Sequence, residues 1–200
     1  MSEKPESDEF EDEEADEPVV GDADVDLDQV IKDLDMAKRR GQKAGDPAWR
    51  ELDIHVEPGI TAMLAAAAEV GAPLGGDFCA VSLSNNLKSW ETIERRLRAA
   101  AQGDFVIALY NPASKARPHQ LGQAFNLLRT IKSPQTVVLF VQKAATPETR
   151  VIVATLAEAD PALADMRTLV IIGATATRLI PRTGQRPWVY TPRAETGIAR

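Results

Sequence analysis

The chain has 200 residues, a formal net charge of −7 and 44% hydrophobic residues, which suits one domain or one domain with an arm. Its one cysteine, Cys79, excludes an internal disulfide, and His55 and His119 stand at no metal-ligand spacing with it, so no metal site is expected. No run approaches the ~18 apolar residues of a membrane span, and the acidic N-terminus lacks the apolar stretch of a secretory signal, so a cytoplasmic protein without membrane contact is expected.

Residues 1–28 hold fourteen acidic side chains against Lys4 alone. That stretch carries −13, which leaves +6 for the rest of the chain. It cannot bury enough apolar surface to offset the entropy of ordering it, and a disordered acidic arm is expected over residues 1–26. The arm reads as a solubilising tail, or as a tail for a basic partner or for the basic body itself. Residues 27–48 read as a short helix and linker. Leu27, Val30, Ile31 and Leu34 keep helical spacing, and Lys38, Arg39 and Arg40 complement the dipole at its C-terminal end. Gly45-Asp46-Pro47 follows as a breaker.

From Trp49 the pattern alternates. Leu52–Val56 is expected as a strand closed by Pro58-Gly59, then Ile60–Val70 as an Ala-rich helix that stops at Gly71. Phe78–Leu83 reads as a strand. Trp90–Ala101 reads as an amphipathic helix with Trp90, Ile93, Leu97 and Ala101 on one face and Glu91 and Arg95 at i,i+4 on the other. Phe105–Tyr110 is an apolar strand, and Arg117–Thr130 a helix that buries Leu121, Phe125 and Leu128. Thr136–Val141 and Val151–Ala154 are strands, Pro161–Asp165 a short helix, and Leu169–Ile172 a final buried strand. Cys79 lies in an apolar run and reads as core. Unbroken apolar strands alternating with helices indicate an α/β domain whose sheet is covered on both faces.

Four polar loops follow strands, where ligands bind in open α/β sheets. The first, Pro58-Gly59-Ile60-Thr61-Ala62, opens a helix whose free N–H groups suit a polar ligand group; it equally describes a tight turn capped by Thr61. The second, from Leu109, Tyr110 and Asn111 through Lys115 and Arg117 to Pro118, is basic and suits carboxylates, or is a solvated connector. The third, Ser82–Trp90, includes Ser84 and a Ser89 placed to cap the next helix. The fourth is Gly173–Arg178. Only a parallel sheet would put all four on one edge. No phosphate-binding P-loop, GxGxxG fingerprint or Ser-His-Asp order is present, and too few aromatics flank the basic loops for a base-stacking surface, so no nucleic acid is expected.

The runs Pro58–Leu64, Gly71–Ala80, Ile107–Pro118, Ala159-Asp160, Ala164–Met166, Val170–Gly173 and Val189–Arg193 together resemble the precorrin-3B C(17)-methyltransferases, a branch of the tetrapyrrole methylases. The Tyr-Asn-Pro-x-Ser-Lys-x-Arg loop is the specific element, and the resemblance runs collinearly through about three quarters of the chain. It implies that residues 49–200 form the C-terminal αβα domain of that fold. It also implies S-adenosyl-L-methionine as cofactor, and methyl transfer to carbon 17 of precorrin-3B with ring contraction, in cobalamin biosynthesis. Pro58, Gly59, Ile60, Thr61, Ala62, Leu109, Tyr110, Asn111 and Gly173 would contact the cofactor. Ser84, Lys115 and Arg117 would contact the precorrin, an acidic tetrapyrrole rimmed with carboxylates. No catalytic side chain is assigned, since alignment of the reactants carries much of such a reaction.

The family's opening strand and GxGPGD-type glycine loop have no counterpart in residues 1–50. Gly76, Asn85 and Ser89 stand where the family usually has His, Asp and Pro, and Gln142–Thr146 departs from a usual Arg- and Gly-containing stretch. These departures imply a homodimer or a separate N-terminal half as partner. The alternative they leave is a non-catalytic remnant or binding module whose arm and helix set its partners.

Overall fold

The computed structural model describes residues 53, 55, 57–114 and 117–194. The expected arm and short helix, the residues Leu52, Ile54 and Val56 of the expected first strand, and Lys115 lie outside the described residues. The chain divides between Glu57 and Pro58 into two units. In the first, the exposed His55 places Nε2 3.2 Å from Asp53 Oδ2. The second, Pro58–Arg200, holds every helix and strand among the described residues.

Helix α1 spans Ala62–Val70. Thr61 caps it by accepting from the Leu64 N–H at 3.5 Å, and Gly71 ends it with φ 126. A Cβ at Gly71 would sit 2.8 Å from the Val189 carbonyl oxygen, so both the backbone angle and the space demand glycine. The chain passes through β1 (Gly71–Ala72) and β2 (Phe78–Ser82) into α2 (Trp90–Gln102). Ser89 caps α2 through the Thr92 N–H at 3.3 Å, and Ile93, Leu97 and Ala101 form its buried face as the spacing predicts. The i,i+4 ion pair on its outer face is Glu94–Arg98 at 3.0 Å.

Strand β3 spans Val106–Tyr110 and helix α3 spans Gln120–Arg129. The helix starts three residues later than Arg117. Pro118 disfavours a helical residue before it, and Arg117 instead exchanges backbone hydrogen bonds with Ser114 at 3.0 and 3.2 Å. Strands β4 (Val137–Gln142) and β5 (Arg150–Thr155) form a hairpin, a 3₁₀ turn covers Pro161–Leu163, and β6 spans Thr168–Ile172.

The main sheet has the order β2-β3-β6-β4-β5. β2 and β3 are parallel, while β6 runs antiparallel to both β3 and β4. Alternation along the apolar strands supplies two cores. Ile107, Leu109, Val138, Phe140, Val170 and Ile172 face α2 and α3, and Phe125 meets Phe140 edge to face with ring centroids 6.1 Å apart. Val106, Val137, Leu139, Val141, Leu169 and Ile171 face α1. Helices on both faces make the αβα layering expected from the sequence. Cys79 is half-buried beside the first core, and burial pushes its thiol pKa up despite the positive charge of Lys132.

Two expectations need correction. Leu169–Ile172 is not the final strand. β7 (Arg178–Arg182) and β8 (Gln185–Tyr190) follow as a hairpin, and β8 pairs in parallel with β1. Neither shows a buried apolar run, Pro181 and Pro187 interrupt them, and the Arg182 guanidinium stacks 4.0 Å over Trp188. The sheet is also mixed, so the loop after β6 lies on the edge opposite the loops after β2 and β3. Among the described residues, no helix is long and apolar enough to cross a membrane, and no cluster of His, Cys, Asp or Glu could hold a metal ion.

On that opposite edge Lys132, with a side chain only 4% exposed, donates to Asp104 Oδ1 at 2.9 Å. The Thr175 N–H lies 3.0 Å from both carboxylate oxygens. Burial alone would raise the Asp104 pKa, but the Lys132 ammonium and the Thr175 N–H more than offset it, and the net direction is downward. A pKa lower in the folded chain than in the unfolded one gives stabilisation that is complete above the ordinary aspartate range and is lost as pH falls through the folded value. Asp104→Asn is therefore expected to destabilise the chain at pH 7 by about 1–2 kcal/mol in urea unfolding, since it leaves the buried ammonium against a neutral group. The difference from the unsubstituted chain should shrink as pH is lowered below about 3.9. A difference independent of pH would assign the loss to packing.

Candidate functional site

Because β3 and β4 both run against β6, the carboxyl ends of β2, β3 and β4 share one edge with the amino end of β6. There a cavity of about 460 Å³ opens between α1 and the sheet. Its walls are Ile60, Ala62 and Ala65 from α1 and its approach, Tyr110 and Asn111 from the end of β3, Val141, Ala144 and Ala145 from the end of β4, and Met166–Leu169 leading into β6. The α1 face is built of alanines, which leave room where longer side chains would fill the space.

Hydrogen bonds fix the walls against one another. The Tyr110 hydroxyl accepts from the Met63 N–H at 3.0 Å, which joins the first turn of α1 to β3. Thr61 takes the Leu64 N–H, so two of the helix's first donors are occupied by protein. Asn111 adopts a left-handed backbone with φ 52, which asparagine tolerates better than most residues. Its Nδ2 donates to Ser82 Oγ at 3.0 Å, and the Ser84 N–H donates to the same oxygen at 3.3 Å. Ser82 thus ties together two of the loops that the sequence singles out.

The floor is polar. Asp165 accepts from the Gln142 amide at 2.7 Å, from the Thr168 hydroxyl at 2.7 Å and from the Arg167 N–H at 2.9 Å. Partial burial would raise its pKa, but the Thr168, Arg167 and Gln142 donors and the Arg167 charge lower it on balance, so the carboxylate stays ionised. Lys143 and Ala145 have left-handed backbones, with φ 51 and 61, and the Ala145 N–H is held by Glu69 Oε1 at 3.2 Å.

The structure brings some of the expected residues together and separates others. Ile60, Ala62, Tyr110 and Asn111 line the cavity. Thr61 caps α1, and Pro58 and Gly59 are exposed on the approach to it. Ser84 and Arg117 lie on the loops of the same edge. The Leu109 side chain is fully buried in the core on the other face of the sheet, because residues 109 and 110 of a strand point to opposite sides. Gly173 is on the opposite edge, where its N–H donates to the Val137 carbonyl at 2.8 Å and Thr177 fills the space a Cβ would need. Ser82 opens the third of the chosen loops, while Val141, Ala144, Ala145 and Met166–Leu169 were missed. The loop after β4 follows a strand as the four chosen loops do, and the same positional rule would have found it.

Tyr110→Phe removes the acceptor for the Met63 N–H without opening a cavity. It is expected to cost about 1 kcal/mol of stability in urea unfolding with an unchanged far-UV spectrum. No loss would mean that water replaces the hydroxyl at no cost.

Residues 44–160 match the model of the tetrapyrrole (corrin/porphyrin) methylases. The chain is 54% identical over 156 residues to a precorrin-3B C(17)-methyltransferase of a Sinorhizobium species, a match that covers 78% of this chain and 61% of that protein. It is 42% identical over 149 residues to a probable cobalt-factor III C(17)-methyltransferase of Salmonella typhimurium, which covers 74% and 60%. Among solved structures, that of the methyltransferase CobJ is similar with a TM-score of 0.68 and 46% identity, over 84% of this chain and 77% of that one. The chain spans about three fifths of the length of these two curated relatives.

Proposed function

This chain belongs to the tetrapyrrole methylase family, and we propose that it serves S-adenosylmethionine-dependent methylation of carbon 17 of precorrin-3B, with ring contraction, in cobalamin biosynthesis. The observation that carries the reading is the cavity at the carboxyl edge, with α1 on one side and Tyr110-Asn111 on another. A volume of about 460 Å³ is within the range of small-molecule sites. Its lining also suits the ligand, since Ala62, Ala65, Val141, Ala144 and Leu169 offer apolar surface beside the polar Asn111 and Thr168.

S-adenosylmethionine, when bound, supplies the methyl group on a sulfonium centre. Its residues would be Ile60, Ala62, Tyr110, Asn111, Ala144 and Ala145. The chain's contribution is then geometric. The Tyr110–Met63 bond and the Asn111–Ser82 bond fix two walls, so the acceptor carbon can be aligned with the methyl group. Alignment of that kind is worth up to about 7–11 kcal/mol of barrier in favourable cases. The apolar lining of Ala62, Ala65, Val141, Ala144 and Leu169 would keep water from the reacting atoms once a second wall closes the cavity. Arg117, on the loop after β3 at the same edge, would offer its guanidinium to a substrate carboxylate. Ile60, 82% exposed at the cavity mouth, leaves apolar surface for a second wall, which a further domain or a second copy would provide.

Calorimetric titration with S-adenosylhomocysteine is expected to give micromolar binding. Ala144→Leu, which fills the cavity from its floor, is expected to weaken it by about tenfold or more. A folded chain that releases no heat with this ligand would sink the reading and favour the non-catalytic binding module.

A further inference from the structure

Arg167 stands where three cavities meet. It lines the first cavity beside Tyr110 and Asn111. It also lines a second, of about 700 Å³, with Ser114, His119, Pro161, Asp165 and Met166, and a third with Gln142, Lys143 and Arg150. Its backbone is pinned, since its N–H donates to Asp165 Oδ1 at 2.9 Å and its carbonyl accepts from the Lys143 N–H at 3.0 Å. Its side chain is not. The side chain is 66% exposed, and its guanidinium makes no hydrogen bond among the described residues and approaches Asp165 Oδ2 only to 3.7 Å through Nε.

That pairing is unusual in what it leaves unused. Asp165 already has three donors, so its carboxylate does not need the arginine. The neighbouring cation Lys143 is taken by Glu148. Arg167 therefore presents an uncommitted planar fork, which matches a carboxylate with two parallel hydrogen bonds. Its rotation away from Asp165 sacrifices one loose contact, and loose, exposed ion pairs contribute little.

We infer that the second cavity is a subsite for the carboxylated rim of the substrate, and that Arg167 holds one of its side-chain carboxylates there. The inference rests on the acidic-macrocycle reading of the site and adds a carboxylate-binding residue to it. Met166, half-exposed in the wall shared by the two cavities, offers a soft apolar contact for the ring itself. The substrate would span the Arg167 partition, with its ring toward the first cavity and its acidic arms in the second. Arg167 is a binding and positioning residue; no proton or bond passes through it.

The test is fluorescence titration with uroporphyrin I, an octacarboxylate, and with its octamethyl ester. Arg167→Gln is expected to weaken uroporphyrin I binding by about five- to tenfold, and Arg167→Lys, which keeps the charge but not the fork, by about two- to threefold. Raised salt should narrow both differences, and ester binding should not respond to either substitution. Circular dichroism of each variant checks that it is folded. If the unsubstituted chain does not bind uroporphyrin I, the acidic-macrocycle reading fails and the role of Arg167 with it. If it binds and Arg167→Gln matches it, or if acid and ester weaken equally, the role of Arg167 alone is overturned.

Discussion

Strand β6 is hydrogen-bonded on both sides by strands that run against it, and this one placement decides which loops can meet. With β6 between them, β3 and β4 point the same way and deliver Tyr110-Asn111 and Val141–Ala145 to one edge. The same ladder brings Met166–Thr168 there from the opposite direction. It also carries Gly173 to the far edge, where the Asp104–Lys132 pair closes the sheet. β6 itself is buried along its whole length, so its register is fixed by both cores, and a one-residue slip would turn each apolar side chain onto the wrong face.

Around that ladder the two edges use polarity differently. On the far edge the buried ammonium is matched directly by a carboxylate, which the Thr175 N–H also holds. On the cavity edge the fixed groups are those of the frame: Ser82, Tyr110, Asp165 and Thr168 bond within the protein. Three left-handed residues, Asn111, Lys143 and Ala145, gather on this edge. Such conformations cost about 1–3 kcal/mol each and persist where the surroundings over-determine them. The two cores beneath supply that constraint, and the Glu69 contact to the Ala145 N–H adds a local one.

Much of this was legible in the chain itself. α2 and α3 announce themselves through Ile93, Leu97 and Ala101 and through Leu121, Phe125 and Leu128, because helical burial repeats every three to four residues. β3, β4 and β6 stand out as apolar runs, because both faces of the sheet are covered. The hairpin β7-β8 was invisible for the converse reason. Its residues are mostly exposed, and it is held by pairing and by arginines over Trp188 and Tyr190. In the site, α1's entry and Tyr110-Asn111 could be found because each follows a breaker or a strand. Leu109 and Gly173 could not be sorted, since strand direction and side-chain facing depend on β6, whose antiparallel insertion leaves no local signature. Arg167 escaped notice because a single cation before a strand looks like any solvated residue until the cavities around it are seen.

The parallel pairing of β1 with β8 has a consequence for synthesis. Gly71 meets Val189, and Val189 is part of the core beneath α1. The α2–α3 face of the sheet has all its partners once β6 has emerged, up to residue 172. The α1 face does not: it waits for a strand more than a hundred residues downstream of the helix it supports. As the chain emerges, one side of the sheet can consolidate while the other stays open, and a chain released up to Ile172 but not to Val189 would expose apolar surface on the cavity side.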